Sequence, residues 1–328
     1  MENRYKGLDG WRGISIIFVI AGHWLPLGIK DWQLNSAVAA TGMAVFFILS
    51  GFLITSLLLR DSNIVNFLIR RFVRIVPLAW LVLCLVLFFN NASVHQWLSS
   101  LLFYANWPPM GFMEGTEHFW SLCLEVQFYL SIALLVILLK KKAFWCLPLL
   151  CLTITAYRYA NDVEMAINTY YRADEILSGC CLALVYKGNN FRLKGQIGKL
   201  YTPSLLILLI ISAHPISGAL NYLRPYIAFL LVGSTLFSVK VNWWNTYLDS
   251  KFLSYVAGIS YALYVIHGAL DSTWLGSGNT LEKYAKRPIL FVLSLILAHI
   301  SSKYFESYWI NFGKRVTNKK TRSLRNLL

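Results

Sequence analysis

Residues 38–59 read VAATGMAVFFILSGFLITSLLL and are closed by Arg60. No charge interrupts the run, and as a helix it is long enough to cross the ~30 Å hydrocarbon core of a bilayer. Outward from it the pattern repeats. Apolar runs lie near 12–29, 38–59, 75–91, 118–139, 143–160, 172–186, 200–215, 222–239, 252–275 and 288–311. The sequence therefore predicts an all-α fold, a polytopic transmembrane helical bundle of about ten helices. The sixth and seventh runs are short and interrupted. Residues 94–107 (VHQWLSSLLFYANW) are too short to span and read as an interfacial or re-entrant segment.

Composition agrees. The 328 residues are 57% hydrophobic and 14% charged, where a soluble domain carries about 25% charged and 45–50% apolar residues. The net charge of +15 comes from 30 Lys+Arg against 15 Asp+Glu, and it punctuates the apolar runs. A nucleic-acid reader would carry a basic stripe on a soluble fold, so that class is excluded. Disorder, a secreted disulfide scaffold and a soluble enzyme are excluded with it. Cys84, Cys123, Cys146, Cys151, Cys180 and Cys181 all sit in or beside apolar runs, without the spacing of a zinc site. They read as small apolar fillers.

The basic residues also set orientation. One side would receive Arg4, Lys6 and Arg12, then Arg60, Arg70, Arg71 and Arg74, then Lys140, Lys141 and Lys142. Lys187, Arg192, Lys194, Lys199, Lys240, Lys251 and the tail from Lys314 to Arg325 follow on the same side. The opposite side would hold Lys30, Arg158, Arg172, Arg224, Lys283, Lys286 and Arg287. The positive-inside rule then predicts that both termini are cytoplasmic. Ala37-Val38-Ala39 resembles a leader cleavage site, but it lies too far from the first apolar run, with Pro26, Lys30 and Asp31 between. The expected organisation is one membrane domain over residues 1–312 and a basic cytoplasmic tail, 313–328, lying against anionic headgroups.

Ionisable side chains in a bilayer core cost roughly 2.5–3.5 kcal/mol each and normally face a bundle interior or cavity. Five places carry them. In LDGWRGISIIFVIAGH (8–23), Arg12 and His23 return to nearly one helix face, roughly 16 Å apart along the axis. An Arg near the cytosolic interface with a His deep above it suits anion binding below and proton transfer above. A snorkelling Arg and a packing His fit the same spacing. In NFLIRRFVRIVP (66–77), Arg70, Arg71 and Arg74 form a basic face on a short helix expected to stop before Pro77. Such a face suits phosphates, and it equally suits plain positive-inside residues.

In HFWSLCLEVQFYL (118–130), His118 and Glu125 share a face with Gln127 close by, and the acid needs a partner from another helix or a proton. A structural interhelical hydrogen bond is the other reading. In YRADEILSGCCLAL (171–184), Arg172 and Glu175 are an i, i+3 pair that can neutralise each other, leaving Asp174 the more exposed acid. Finally Tyr261, Tyr264 and His267 form a stripe that ordinary interfacial belt chemistry also explains. His299, Lys303 and Glu306 are expected on one helix face, with Ser302 four residues before Glu306. No Walker loop, H-E-x-x-H, G-x-S-x-G or GxGxxG is present. What remains is His/Glu acid–base chemistry or a permeation pathway.

The order LDGWRGISIIFVIAGH, GMAVFFILSGFLI, RRFVRIVPLAW, HFWSLCLEVQFYL, YRADEILSGCCLA, GISYALYVIH, SSKYFE resembles the acyltransferase-3 family of bacterial inner-membrane acyltransferases, over residue 8 to about 310. The resemblance implies ten or more membrane helices in the inner membrane. It also implies transfer of an acyl group, usually acetyl, from acyl-coenzyme A to a carbohydrate hydroxyl. Typical acceptors are O-antigen, exopolysaccharide, peptidoglycan, lipo-oligosaccharide or a glycosylated antibiotic. Acyl-coenzyme A would be a co-substrate, with no permanently bound cofactor, no metal and no nucleic-acid partner. The family's first-helix Arg and His map to Arg12 and His23, and its R-x-x-R pair to Arg71 and Arg74. Its F-W-S-L…E-x-Q-F-Y-L helix maps to Trp120, Ser121, Glu125, Gln127, Phe128 and Tyr129, and its C-terminal acid to Glu306. Two departures stand out: Val126 replaces a second acid, and Ile266-His267-Gly268-Ala269 stands where W-H-x-P is common. Many relatives carry a fused periplasmic esterase-like domain; at this length none is expected here, and the chain would act alone or with a separate partner.

The expected mechanism places the coenzyme A phosphates on Arg71, Arg74 and Arg12. His23 is the general base on the acceptor hydroxyl, served by Glu125 or Glu306. An acyl-enzyme on a Ser or His is the other route. Gln127, Tyr129, Asp174, Tyr261 and His267 are expected to contact substrate. The competing class is a transporter or flippase for a lipid-linked sugar or small molecule, which would need inverted repeats and paired broken helices.

Overall fold

The computed structural model describes residues 7–238 and 243–325, with side chains to residue 318. The helices run in chain order α1 (Leu8–Trp24), α2 (Leu34–Arg60), α3 (Ile64–Phe89), α4 (Val94–Leu101), α5 (Trp120–Leu139), α6 (Ala143–Ala160) and α7 (Thr169–Lys187). Then come α8 (Phe191–Ile197), α9 (Thr202–Ser212), α10 (Leu220–Leu236), α11 (Trp243–Leu248), α12 (Lys251–Asp271), α13 (Thr280–Ile300) and α14 (Ser307–Arg325). The fold is all-α, with no strand among the described residues. The expectations resting on Arg4, Lys6, Lys240 and the tail side chains beyond residue 318 lie outside the described residues.

Each of the ten apolar runs coincides with a helix, and residues 94–107 contain only the short α4. By length and composition, five helical stretches can cross a membrane: Lys30–Arg60, Ile64–Phe89, Glu117–Ala160, Lys251–Asp271 and Thr280–Asn318. A sixth is added if α8 and α9, bent by 77°, count as one broken span. Helices α1 and α10, at 17 residues each, lie at the short end of a spanning length. Helix α7 carries Arg172, Asp174, Glu175 and Lys187, and α5 and α6 share one 44-residue stretch.

The chain divides into two compact units, Met1–Arg60 with Lys141–Ser260, and Asp61–Lys140 with Tyr261–Leu328. In the first unit α2 is the core helix, packed by α1 on one flank and α7 on another, with α10 against both α2 and α7. The crossing of α2 and α7 is built on reciprocal glycines. A Cβ on Gly51 would run into the Ile176 carbonyl, and one on Gly179 into the Ile48 carbonyl. Small residues of this kind let membrane helices approach backbone to backbone. Trp11 is fully buried on α1 and donates its indole N–H to Thr235 Oγ1 at 2.9 Å.

In the second unit, α3 is capped by Asn63, whose side chain accepts the Asn66 N–H at 3.0 Å. The sequence expectation that a short basic helix stops before Pro77 is overturned, since α3 continues through Pro77 to Phe89. Within a membrane bundle the backbone groups freed by proline can be satisfied by neighbours. Helix α14 lies along α3, with Arg70 Nε donating to Thr317 Oγ1 at 3.0 Å. Between α13 and α14, residues Ser301–Glu306 form one π-helical turn.

Candidate active site

The second unit gathers a charged cluster around α5. Glu125 and Tyr129 lie four apart on that helix, so they share a face. The Tyr129 hydroxyl donates to Glu125 Oε1 at 2.5 Å, and both residues are buried. Helix α3 supplies the cations. The Arg71 guanidinium sits over the Tyr129 ring, 5.7 Å from its centroid, while Phe67 packs edge-on to the same ring at 6.0 Å. A guanidinium over an aromatic face is worth ~0.5–2 kcal/mol, more as water is excluded. Arg74 exerts its charge on both Tyr129 and Glu306. Tyr261 anchors its hydroxyl to the Ile75 carbonyl at 2.5 Å and lies within electrostatic reach of Glu306, Glu125 and Tyr129.

Glu306 ends the π turn. It is buried, and its Oε1 has no hydrogen-bond partner among the described residues. His299 and Lys303, expected on the same face, are exposed instead. The cause is the turn itself: a π-helical segment winds more residues per turn than an α-helix, so the i, i+4, i+7 register no longer holds. Single π turns of this kind are frequent at functional sites.

A second cluster in this unit surrounds His118, which sits in a tight turn ahead of α5. Its Nε2 meets the Val265 carbonyl at 3.2 Å, and its ring lies 4.8 Å from that of His267. The Tyr264 hydroxyl bonds the His118 carbonyl and meets Ser121 Oγ at 2.6 Å. His118 is therefore grouped with the end of α12 rather than with Glu125 along α5, as the spacing had suggested. Gly268 makes room for the His118 ring: a Cβ there would collide with it. Gln127, expected to contact substrate, is bonded to a loop. Its amide donates to the Phe103 carbonyl at 2.7 Å and to Asn106 Oδ1 at 2.9 Å, and its Oε1 accepts from Trp107 Nε1 at 2.9 Å.

The first unit holds the remaining expected residues. Arg12 is half-buried on α1, 3.8 Å from Asp9 one turn earlier. His23 lies in the last turn of α1 and is exposed, not deep in the bundle as its apolar flank had suggested. Asp174, expected to be the more exposed acid, is fully buried and ion-paired with Arg158 at 2.6 Å. Its neighbour Glu175 takes Arg172 at 3.2 Å, the expected i, i+3 pair, and Arg224 at 2.6 Å. Arg158, Arg172 and Arg224 had been assigned to the outer side in the count of positive residues; all three are buried at 3% or less. Sequence reasoning missed Arg158 and Arg224 as partners because they lie 16 and 49 residues from their acids. It also missed the Tyr129–Glu125 bond, whose i, i+4 spacing was the available signal. No cluster that could hold a metal ion occurs among the described residues.

A family model described as an acyltransferase domain matches residues 5–305. The chain is 25% identical, over 92% of its length, to the peptidoglycan O-acetyltransferase OatA of Listeria monocytogenes, covering 55% of that protein. It is 24% identical to the O-acetyltransferase OatA of Staphylococcus aureus over 92% of this chain and 56% of the relative. The chain thus spans a little over half the length of the curated relatives it matches. No solved structure matches it. The family match takes in almost every helix described above, and the chain belongs to the acyltransferase-3 family, multi-pass proteins of the bacterial inner (cytoplasmic) membrane.

Proposed function

We propose that this chain is an integral-membrane O-acyltransferase. It moves an acyl group, acetyl in our reading, from cytosolic acyl-coenzyme A to a hydroxyl of a carbohydrate or glycolipid bound for the cell surface. The observation that carries this reading is the stack of Arg71 on Tyr129, bonded to Glu125, in the same unit as Arg74 and Glu306. Two cations beside buried carboxylates match an anionic donor and an acid–base step. The named relatives act as O-acetyltransferases, one of them on peptidoglycan.

In this proposal Arg71 and Arg74 hold the coenzyme A phosphates through charge-assisted hydrogen bonds. His23 takes the proton of the acceptor hydroxyl as its oxygen attacks the thioester carbonyl. The C–S bond breaks, the acyl group passes to the oxygen, and the coenzyme A thiolate leaves and is protonated. Imidazole is the side chain best suited to that exchange near neutral pH. Tyr261, His267 and Asp174 act by position, through the contacts described above. The ten apolar helices are all proposed to cross, with both termini and the basic tail on the cytoplasmic side. Support comes from the burial of Arg158, Arg172 and Arg224, which leaves Lys30, Lys283, Lys286 and Arg287 as the remaining positive residues on the proposed outer side.

The test is purified protein in detergent with labelled acetyl-coenzyme A and a glycan acceptor. Coenzyme A release that depends on the glycan is expected. Uptake into vesicles without release would overturn the enzyme in favour of a transporter or flippase. A transporter would also call for paired broken helices, and one bent pair, α8 with α9, is found among the described residues.

A further inference from the structure

The first unit buries three guanidinium groups against two carboxylates. Arg158, Arg172 and Arg224 face Asp174 and Glu175 with every one of the five side chains at most 3% exposed. The excess positive charge falls on the Arg224 side. Arg224 gives Nε to Glu175 and Nη1 to Asn221 Oδ1, each at 2.6 Å. Its Nη2 is buried with no hydrogen-bond partner among the described residues. Burying an unbonded cationic donor is costly.

What faces these cations from the surface is a thioether. Met165 Sδ lies 3.3 Å from Arg224 Nη1 and 3.9 Å from Arg172 Nη1. Sulfur of this kind is a weak acceptor, and the Met165 side chain is flexible, unbranched and 40% exposed. It belongs to residues 161–168, which link α6 to α7. The acids of this loop do not serve instead. Asp162 is exposed, and Glu164 reaches Arg158 through its backbone carbonyl at 2.7 Å.

We propose that Arg172 and Arg224, beneath Met165, form an oxyanion site. A carboxylate or phosphate group displaces the thioether and takes up the excess positive charge. Bidentate recognition of such groups is what guanidinium geometry favours. The α6–α7 loop is at the opposite end of α6 from Lys142, so on the proposed topology it faces outward, where the acceptor is met. The site would therefore select an acceptor, or a neighbouring lipid, that carries an acidic group. This placement rests on the proposed function, whereas the binding itself does not.

The experiment measures thermal unfolding of the full chain in detergent at constant ionic strength, with no acyl donor present. Glucuronate or inorganic phosphate at millimolar concentration is expected to raise the Tm of the wild type and of Met165→Ala by about 3 °C or more. Met165→Glu, which supplies its own carboxylate, is expected to have a higher starting Tm and to lose the response. A shift in phosphatidylglycerol nanodiscs but with neither soluble anion assigns the oxyanion to a lipid headgroup. No shift with any of these probes, or an equal shift in Met165→Glu, overturns the site. Because no acyl transfer is measured, that failure would leave the proposed enzyme activity standing.

Discussion

Both units combine arginines with carboxylates, but they join them differently. In the first unit, Asp174 and Glu175 are bonded directly to guanidinium groups at 2.6–3.2 Å, with three helices supplying the partners. In the second, Glu125 accepts from the Tyr129 hydroxyl while Arg71 lies over the tyrosine ring, and Glu306 keeps one oxygen without a partner among the described residues. Closed ion pairs tie α6, α7 and α10 together. In the proposed function the carboxylates of the second unit are reagents. The same two residue types would then be fasteners in one unit and reagents in the other.

That division can be broken by experiment. The largest effects should come from the reagent side. Glu306→Gln and His23→Ala are each expected to lower the acyl-transfer rate about 10²–10⁴-fold, with Tm in detergent unchanged. His23 is the sharper case, since it lies in the unit whose buried charges are fasteners. A large loss of stability in either variant would erase the distinction.

On the fastener side, Asp174→Asn strands Arg158 and is expected to cost about 3–5 kcal/mol in unfolding measurements. The double variant Arg158→Met/Asp174→Leu should be far milder, because it leaves no uncompensated charge. Next in size, Arg71→Ala is expected to raise the KM for acyl-coenzyme A about 10–100-fold with kcat nearly kept, from losing a charge-assisted contact. The smallest effect is Gln127→Ala. It releases the loop at Phe103, Asn106 and Trp107, and should cost about 1–2 kcal/mol of stability.

Helix positions were legible because apolar runs and helices obey the same length rule; all ten runs fall on helices. Local pairs were legible too, as Arg172 with Glu175 shows. Reading failed where the partner was remote or the register was irregular. Arg158 and Arg224 looked like topology charges because the acids they pair with lie 16 and 49 residues away. The tight turn at Glu117–Phe119 moved His118 off the face of Glu125. The contact of Gly268 with the His118 ring depends on two segments far apart in the chain.

The π turn at Ser301–Glu306 has a consequence for how this helix can change over time. Such a turn holds one residue more than an α-helical turn does. Removing a single residue from Ser301–Phe305 would let α13 run into α14 as an unbroken α-helix. The side chains after the deletion would keep nearly the angular positions they hold now, because the turn had absorbed the extra residue. A deletion elsewhere in α13 or α14 would instead rotate every following side chain by about 100°, and with α14 held along α3 by Arg70 and Thr317 that mismatch could not be relaxed by rotating the tail. Single-residue deletions should therefore be best tolerated within Ser301–Phe305, so that the helix keeps something like a reading frame, with this turn as its one slack position.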